Sequence, residues 1–306
     1  MDEFELIRRF FLRAGTAPGV PVGIGDDGAV LVPEPGAELV TVVDTLVEGV
    51  HFPADIRAAD LGFRAVAVNL SDIAAMGARP RWMTLALTIP RADEQWLGEF
   101  AAGLTEAAGE VVLVGGDTTR GDRVVVSVQI IGDVAAGSAL LRSGARVGDT
   151  VFVTGTLGDA AAGLELIKQG RPDRDLSGRY YRPDPRVAFG RSLAGRASAA
   201  IDVSDGFVAD LGKLLAASRL GAEIDVDSLP ISPALRGAFD AASRRRFVLA
   251  GGDDYELVFT ARPEDLPPAG DVRVTAIGTV VAGDKLVCRE GGQVVDCGNG
   301  GYDHFR

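Results

Sequence analysis

The chain reads VVLVGGDTTRGDRVVVSVQII from residue 111 to residue 131. The segments 111–114 and 123–131 both have the composition of β-strands, and only a Gly-Gly-Asp exit and a short polar stretch lie between them. A doubly wound parallel sheet instead places a helix between successive strands. This stretch therefore favours an α+β fold built from packed layers.

The segments on both sides of this stretch also mix strands with helices. Toward the N-terminus, we predict helices at 2–12, 61–76 and 92–109 and strands at 29–32, 38–43 and 82–89. Toward the C-terminus, we predict strands at 150–154, 199–203, 222–226, 255–260, 272–280 and 285–288, and helices at 159–168, 185–194, 206–218 and 233–242. The arginine- and proline-rich segment 170–185 is predicted to be a loop.

Two features bear on domain organisation. The length of 306 residues predicts two domains of ordinary size. The glycine-containing segment 137–148 has no long apolar run, so we place the boundary there, with domains at 1–140 and 141–306. Segment 247–253 also has the pattern of segment 111–117, an apolar strand followed by Gly-Gly-Asp. This similarity indicates either two related domains or simply a common way to leave a strand.

Composition excludes several classes of partner. The net charge of −12 disfavours nucleic acid and anionic membranes, which repel an acidic surface. No apolar run is long enough to cross a bilayer, and the acidic first residues lack the pattern of a signal peptide. We therefore expect a cytoplasmic protein without nucleic-acid or membrane partners. In that compartment Cys288 and Cys297 are expected to be free thiols, since their spacing is not that of a metal site.

Six aspartates are the candidate functional residues. They lie after strands, in glycine-rich turns or, in one case, inside the helix predicted at 61–76, and they are Asp27, Asp44, Asp72, Asp117, Asp202 and Asp205. A single aspartate at such a place is usually a turn residue or a helix cap. Six of them favour another interpretation, because converging carboxylates repel each other unless cations lie between them. Hard oxygen ligands in that number predict Mg²⁺, with phosphate oxygens completing the coordination.

Common nucleotide-binding and catalytic motifs do not fit the sequence. GIGDDG at 23–28 matches G-x-G-x-x-G, but adjacent carboxylates do not suit a pyrophosphate site and no good helix follows. The chain has neither a P-loop nor the protein-kinase signatures. Its only histidines, His51 and His304, are not near a G-x-S-x-G sequence, which disfavours a Ser-His-Asp triad. By itself His51 is a surface or loop histidine, and Arg120 and Arg142 either clamp phosphate or solvate the surface.

Seven segments in order resemble the thiamine-monophosphate kinase family, part of the aminoimidazole ribonucleotide synthetase-like superfamily. These segments are GIGDD at 23–27, DTLVEGVHF at 44–52, AVNLSDIAAMG at 67–77, GGDTTRG at 115–121, VTGTLGD at 153–159, IDVSDG at 201–206 and GYDHF at 301–305. The resemblance implies an N-terminal ferredoxin-like sheet domain that binds ATP and Mg²⁺ and forms a homodimer. It also implies a C-terminal α/β sandwich domain that closes the active-site cleft.

The resemblance assigns roles to individual residues. The six aspartates correspond to Mg²⁺ ligands; Gly116, Asp117, Arg142 and Ser204 correspond to ATP contacts; His51, Asp253 and Tyr302 correspond to contacts with thiamine monophosphate. This chain departs from the family at two places. The family commonly has Glu where Asp253 stands, so Asp254 or Glu256 is a candidate to share that contact. Hydroxyl residues often precede the Asp44 position, which Val42 and Val43 precede here, so a metal contact there would come from a backbone carbonyl.

The implied activity is transfer of a phosphoryl group from ATP to thiamine monophosphate, which makes thiamine diphosphate in the last step of its biosynthesis. A phosphate monoester is already largely ionised near pH 7, so no catalytic base is assigned. Positioning and electrostatics then supply the catalysis. Two alternatives stay open: another enzyme of the superfamily, such as a ring-closing ligase, a selenophosphate synthetase or a hydrogenase-maturation relative, and a nucleotide- or Mg²⁺-sensing protein without turnover.

Overall fold

The computed structural model describes residues 3–12, 18–298 and 300–302. The chain divides into two compact units. The first consists of Met1–Ile73 and Ala78–Gly137, and the second of Ala74–Gly77 and Ser138–Arg306. None of the helices in the described ranges is long and apolar enough to cross a membrane.

The first unit is a four-stranded sheet with helices. Its helices are α1 (Glu3–Leu6), which continues as a π-helical turn (Ile7–Phe11), α2 (Ala58–Ala75), whose last two residues belong to the second unit, and α3 (Glu94–Ala108). Its strands are β1 (Ala37–Val47), β2 (Arg79–Ile89), β3 (Val112–Arg120) and β4 (Val125–Ala135). The strand order is β1-β4-β2-β3, and only β2 and β3 pair in parallel.

Helices α2 and α3 approach each other unusually closely. A Cβ atom on Gly62 of α2 would overlap the carbonyl oxygen of Phe100, and a Cβ on Gly103 of α3 would overlap the carbonyl oxygen of Ala59. The two helix backbones are therefore in direct contact at these glycines. Asp93 begins α3 as its N-cap, where its Oδ1 accepts hydrogen bonds from the backbone N–H groups of the next helical turn.

The second unit is a seven-stranded sheet with helices. Its strands are β5 (Thr150–Thr154), β6 (Ala199–Asp202), β7 (Gly221–Asp225), β8 (Leu257–Ala261), β9 (Val274–Val281), β10 (Leu286–Glu290) and β11 (Gln293–Val295), in the order β11-β10-β7-β9-β5-β8-β6. Its α-helices are α4 (Asp159–Lys168), α5 (Leu176–Tyr181), α6 (Val187–Leu193), α7 (Phe207–Ser218), α8 (Pro233–Ala238) and α9 (Ala241–Ala250). Short 3₁₀ turns lie at Val226–Ser228 and Pro263–Asp265.

Apolar cores cover both faces of this second sheet. Val151 and Val153 of β5 belong to a core that also contains residues of α4, α7 and α9. Phe152, which points to the other face, belongs to a second core with Phe259 of β8 and Phe189 of α6. The alternation along β5 therefore places the sheet between two helical layers, as in a sandwich.

The structure corrects several predicted elements of the N-terminal half. Segment 29–32 is not a strand, because only Val30 pairs, with Val22, in an isolated bridge. The Gly-Gly-Asp sequence at 115–117 is not a turn but the middle of β3. The parallel pairing of β3 with β2, which the sequence pattern does not reveal, holds these glycines extended.

The predicted elements of the C-terminal half also need correction. The loop predicted at 170–185 contains α5, and the helix predicted at 233–242 is divided between α8 and α9. Asp240 starts α9, because its Oδ1 accepts from the backbone N–H of Ser243 at 2.8 Å. Phe247 consequently lies in a helix, so the prediction that 247–253 repeats the strand pattern of 111–117 is wrong.

The prediction that both cysteines are free thiols is also wrong. Cys288 of β10 and Cys297 form a disulfide, with Cα atoms 6.3 Å apart. In the β10–β11 hairpin Cys288 lies opposite Val295. The chain therefore returns next to Cys288 just before it reaches Cys297, which a spacing of nine residues does not reveal by itself.

The α2–α3 contact predicts a sharp difference between two glycines of one helix. Gly103→Ala is expected to lower the free energy of unfolding by about 1–3 kcal/mol, because the added methyl group forces the helices apart. Gly98→Ala is the matched control, since a Cβ there would meet only the ring of Phe10, at 3.6 Å, and alanine favours a helix over glycine by about 1 kcal/mol. Urea unfolding of both variants measures the difference, and equal stabilities would contradict the contact.

Candidate active site

In the first unit a buried amide joins the elements that carry two of the candidate aspartates. The Oδ1 atom of Asn69 in α2 accepts a hydrogen bond of 3.0 Å from the backbone N–H of Asp44 in β1. Its Nδ2 atom donates to the carbonyl oxygen of Ala65 at 3.0 Å, which fixes the orientation of the amide. Asp72 lies three residues after Asn69, on the same side of α2. Asp44 and Asp72 therefore occupy adjoining elements, and both are partly exposed.

Gly116 and Asp117 lie on β3, at the opposite edge of the same sheet from β1. The strand register places Asp44 level with Val128, Val128 level with Leu85, and Leu85 level with Gly116. A Cβ on Gly116 would overlap the carbonyl oxygen of Leu85, so only glycine fits there. Asp117 follows directly and is exposed. Two candidate residues, Asp44 and Gly116, thus share one level of the sheet across its four strands, and Asp117 lies one residue further along β3, level with Thr45.

Asp27 lies in an exposed loop rather than on a regular element. The loop is closed where the backbone N–H of Val30 donates to the carbonyl oxygen of Val22, at 2.9 Å. Within the loop the Oδ1 atom of Asp26 accepts from the backbone N–H of Asp27 at 2.9 Å. This short side-chain contact gives Asp26 a local structural role and makes Asp27 the better ligand candidate of the pair.

His51 has a defined orientation. Its Nδ1 atom accepts a hydrogen bond of 3.0 Å from the backbone N–H of Val47, the last residue of β1. Because Nδ1 accepts, the neutral ring carries its proton on Nε2. The simple interpretation of a surface or loop histidine is therefore incomplete, since the backbone holds the ring in one tautomer.

In the second unit the carboxylate of Asp210 organises the turn that carries Ser204 and Asp205. Its Oδ2 atom accepts hydrogen bonds from the backbone N–H groups of Ser204, Asp205 and Gly206, at 3.0, 2.9 and 3.0 Å. Its Oδ1 atom accepts from Nζ of Lys213 at 2.8 Å, and the same ammonium group pairs with the Asp205 carboxylate. Asp202 is buried at the end of β6, just before this turn.

Charge and burial act in opposite directions at this turn. Burial raises the pKa of the Asp210 carboxyl, although its hydrogen bonds to Lys213 lower it. Burial lowers the pKa of Lys213, but its hydrogen bonds and charge interactions with Asp205 and Asp210 outweigh that effect and leave the pKa raised. The ammonium group is therefore held in its charged form between the two carboxylates.

Asp253 lies beside the same turn. Its backbone N–H donates to the carbonyl oxygen of Ser204 at 2.9 Å, and that of Tyr255 donates to the carbonyl oxygen of Val203 at 2.9 Å. Asp253 and Tyr255 have φ angles of 69° and 52°, in the left-handed region that non-glycine residues seldom occupy. The phenol of Tyr255 donates to Oδ1 of Asp253 at 3.0 Å.

Asp254 and Glu256, the two other candidates for the contact of Asp253, point into the protein instead. Asp254 accepts hydrogen bonds from the backbone N–H groups of Gly158 and Ala160 at the start of α4, and burial raises its pKa well above the usual range. Glu256 is fully buried and binds the guanidinium groups of Arg179 and Arg186. Of these three acids, only Asp253 is partly exposed beside the Ser204 turn.

Tyr302 also reaches this turn. Its backbone N–H donates to the carbonyl oxygen of Asp205 at 3.0 Å, and its side chain is exposed. The remaining residues of the GYDHF segment, Asp303, His304 and Phe305, lie outside the described residues. Ser204, Asp205, Asp253 and Tyr302 are thus brought together in the second unit.

Arg142 lies elsewhere in this unit. Its carbonyl oxygen accepts from Oγ of Ser218 at 3.0 Å, at the end of α7, whereas the Ser204 turn precedes the start of α7. A helix of 12 residues is about 18 Å long. The structure therefore does not bring the backbone of Arg142 next to Ser204.

The arrangement of potential metal ligands in the described residues also bears on the site. Among residues 3–12, 18–298 and 300–302, no group of three or more His, Cys, Asp or Glu side chains has an arrangement that could hold a metal ion. Asn69, Asp210, Lys213 and Tyr255 were not singled out from the sequence. Of these, Asn69 has a signal in the sequence, because it is a polar residue on the apolar side of a predicted helix.

Comparisons with known proteins cover both halves of the chain. The family model of the AIR synthase related protein, N-terminal domain, matches residues 25–134, and that of its C-terminal domain matches residues 146–290. A thiamine-monophosphate kinase from Salmonella typhimurium is 46% identical to this chain over 321 residues, which cover 99% of this chain and 98% of that protein.

Solved structures agree with these matches. The crystal structure of thiamine-monophosphate kinase from Stenotrophomonas maltophilia K279a has a TM-score of 0.84 and 44% identity, over 91% of this chain and 93% of that one. A structure described as AaThiL complexed with AMPPCP and TMP has a TM-score of 0.81 and 33% identity, over 92% of each chain. The AIR synthase-like α+β fold expected from the resemblance is confirmed. The chain belongs to the thiamine-monophosphate kinase family of the AIR synthase related proteins.

Proposed function

We propose that this chain transfers the γ-phosphoryl group of ATP to thiamine monophosphate and so makes thiamine diphosphate. The observation that carries the proposal is the end-to-end relationship to thiamine-monophosphate kinases at 46% identity. A relative with a TM-score of 0.81 was solved with AMPPCP, an ATP analogue, and TMP. The chain is accordingly an ATP-dependent phosphotransferase of thiamine biosynthesis.

The reaction needs little covalent chemistry from the protein. A phosphate oxygen of thiamine monophosphate forms a bond to the γ-phosphorus, the bond from that phosphorus to the β–γ bridging oxygen breaks, and ADP leaves. The attacking phosphate is already largely ionised near pH 7, so no general base is required. The main barrier is the approach of two polyanions, which positioning and electrostatic stabilisation must overcome.

The donor set of the candidate site fits Mg²⁺. Carboxylate oxygens are the ligands that Mg²⁺ prefers, and partly exposed carboxylates can combine with water and phosphate oxygens around it. The residues that would hold such ions are Asp27, Asp44, Asp72, Asp117, Asp202 and Asp205. In the structure the Asp205 carboxylate is paired with Lys213, so a bound ion would share this carboxylate with the ammonium group or displace it. When bound, Mg²⁺ would neutralise the charge of the phosphates.

The remaining candidate residues divide between the two substrates. We assign ATP to Gly116, Asp117, Arg142 and Ser204, and thiamine monophosphate to His51, Asp253 and Tyr302. The Nε2 proton of His51 suits a phosphate oxygen, and the carboxylate of Asp253 suits the positively charged thiazolium ring. Asp253 and Tyr302 both lie beside the turn that carries Ser204, so the proposed contacts to the two substrates adjoin there.

We also propose that the chain acts as a homodimer, assembled through the sheet of the first unit. On β1 the side chains of Leu39 and Val43 are 52% and 63% exposed. They alternate with Val40, which is buried, so they lie on the face of the strand that points away from the core. Large exposed apolar side chains on one sheet face are typical of an interaction surface.

Location and further partners follow from charge and substrates. ATP is abundant in the cytoplasm, and the net charge of −12 disfavours anionic membranes and nucleic acid. We therefore propose a cytoplasmic enzyme whose partners are its two substrates and a second copy of itself.

The proposed function predicts that ADP release depends on thiamine monophosphate. In a coupled assay with ATP and Mg²⁺, ADP should form only when thiamine monophosphate is present, and thiamine diphosphate should appear in equal amounts. Chelation of Mg²⁺ by EDTA should abolish turnover. ADP release at the same rate without thiamine monophosphate would favour another enzyme of the superfamily. No ADP release under any condition would favour a binding protein.

The metal assignment predicts severe effects of neutral substitutions. Asp72→Asn and Asp117→Asn should each lower kcat by at least about 100-fold, because a carboxylate that neutralises phosphate charge is lost. Calorimetric titration should show correspondingly weaker binding of ATP in the presence of Mg²⁺, with unchanged circular dichroism. Glu110→Gln, an equivalent change at an exposed turn after α3, is the control and should keep parental activity. Parental turnover in both aspartate variants would refute the assignment.

The dimer proposal predicts that a charge on the exposed face of β1 separates the subunits. Val43→Glu should convert the dimer to a monomer in size-exclusion chromatography with light scattering, because burying an unpaired carboxylate at the contact is unfavourable. Val147→Glu changes a residue of the second unit that is equally exposed, at 61%, and should leave the dimer intact. A dimeric Val43→Glu variant, or a monomeric parent chain, would contradict the proposal.

A further inference from the structure

Tyr255 is a buried tyrosine held in an unusual backbone conformation. It is 7% exposed, its φ angle is 52°, and its backbone N–H donates to the carbonyl oxygen of Val203 at 2.9 Å. A left-handed conformation is unfavourable for a bulky residue, so the surroundings must impose it. Functional sites commonly contain such residues, which justifies asking what the conformation achieves.

The neighbouring acids supply the anchors. Asp254 before it accepts the backbone N–H of Gly158 at 2.7 Å, and Glu256 after it accepts the hydroxyl of Thr154 at 2.7 Å. Both side chains are buried. Asp253 and Tyr255, which alternate with these two acids, have the left-handed conformation. In this conformation the phenol of Tyr255 reaches the carboxylate of Asp253.

The phenol of Tyr255 therefore meets the carboxylate of Asp253 in a fixed position. Its O–H donates to Oδ1 of Asp253 at 3.0 Å. The backbone of Asp253 is itself held by its N–H donating to the carbonyl oxygen of Ser204 at 2.9 Å. With the backbone anchored and the ring buried, this hydrogen bond restricts rotation of the partly exposed carboxylate.

We propose that Tyr255 is a positioning residue, whose phenol orients the Asp253 carboxylate for the thiamine portion of the substrate. The inference rests on the proposed function, in which Asp253 contacts thiamine monophosphate. Tyr255 acts through Asp253 and does not itself touch the substrate. Its hydroxyl contributes binding by preorganisation, because a carboxylate already held in place loses less freedom when the substrate arrives.

A double-mutant cycle tests the inference. Tyr255→Phe removes only the hydroxyl and keeps the buried ring, and Asp253→Asn keeps a residue type that tolerates the left-handed conformation. Tyr255→Phe should raise the KM for thiamine monophosphate by about 10- to 150-fold, the range expected for a lost hydrogen bond to a charged group. The KM for ATP and kcat should change less than about twofold.

The decisive comparison is the double variant. In the Asp253→Asn background, adding Tyr255→Phe should raise the KM for thiamine monophosphate no further, because the group that Tyr255 orients is already altered. A purely structural role would instead multiply the two effects and lower the thermal midpoint of the Tyr255→Phe variant. Tyr181→Phe, the same change on α5, is the control and should keep the parental KM.

Failure of the inference and failure of the proposed function give different results. A parental KM in Tyr255→Phe, or multiplied effects in the double variant, would overturn the role of Tyr255 while the kinase activity stands. A parent chain that does not phosphorylate thiamine monophosphate would overturn the proposed function and the inference together. An active parent with a parental KM in Asp253→Asn would overturn the substrate contact on which the inference depends.

Discussion

The candidate site of the second unit depends on one buried carboxylate. Asp210 collects the backbone N–H groups of Ser204, Asp205 and Gly206 and so determines the shape of the turn. The carbonyl oxygen of Asp205 can then receive the backbone N–H of Tyr302. Hydrogen bonds to an ionised carboxylate are roughly twice as strong as neutral ones, which explains how a short turn holds a rigid shape without regular secondary structure. The candidate binding residues at this turn are positioned by that shape.

A neutral group plays the corresponding part in the first unit. Asn69 is fully buried, and its amide bridges α2 to β1 through the backbone of Asp44. A carboxylate in that place would lack the N–H donor that satisfies the carbonyl of Ala65, and an apolar residue would leave the N–H of Asp44 unpaired. This amide thus ties the backbone of Asp44 to the helix that carries Asp72. In both units buried polar groups fix the backbone, while the candidate ligands remain accessible at its edge.

The sequence predicts the candidate ligands of the site better than the buried residues that hold them. The sequence singles out Asp44 because it follows an apolar run predicted as a strand, although the structure places it inside β1, and it singles out Asp72 because it interrupts an apolar helix. The strand at β5 and the helix at α4 are predicted with their observed bounds. Asp210 was not visible, because an aspartate in the first turn of an amphipathic helix is usually solvent-facing. The continuation of β3 through Gly116 is not predicted either, because it depends on pairing with Leu85 of β2, about thirty residues earlier in the chain. Local patterns therefore predict the elements, and non-local hydrogen bonds determine the site.

The buried ion pairs of Glu256 lie close in the chain to Asp253 and bear on its conformation. Two left-handed residues in close succession are unfavourable by about 1–3 kcal/mol each, so other contacts must hold the backbone in this conformation. Glu256 provides them, because its carboxylate binds both Arg179 and Arg186 at the point where β8 begins. A buried ion pair is weak evidence for added stability, since desolvation offsets its attraction. The ion pairs do restrict orientation, because a carboxylate that binds two guanidinium groups can adopt few positions. The buried charges therefore hold the chain after Asp253 in place, while Asp253 itself stays partly exposed.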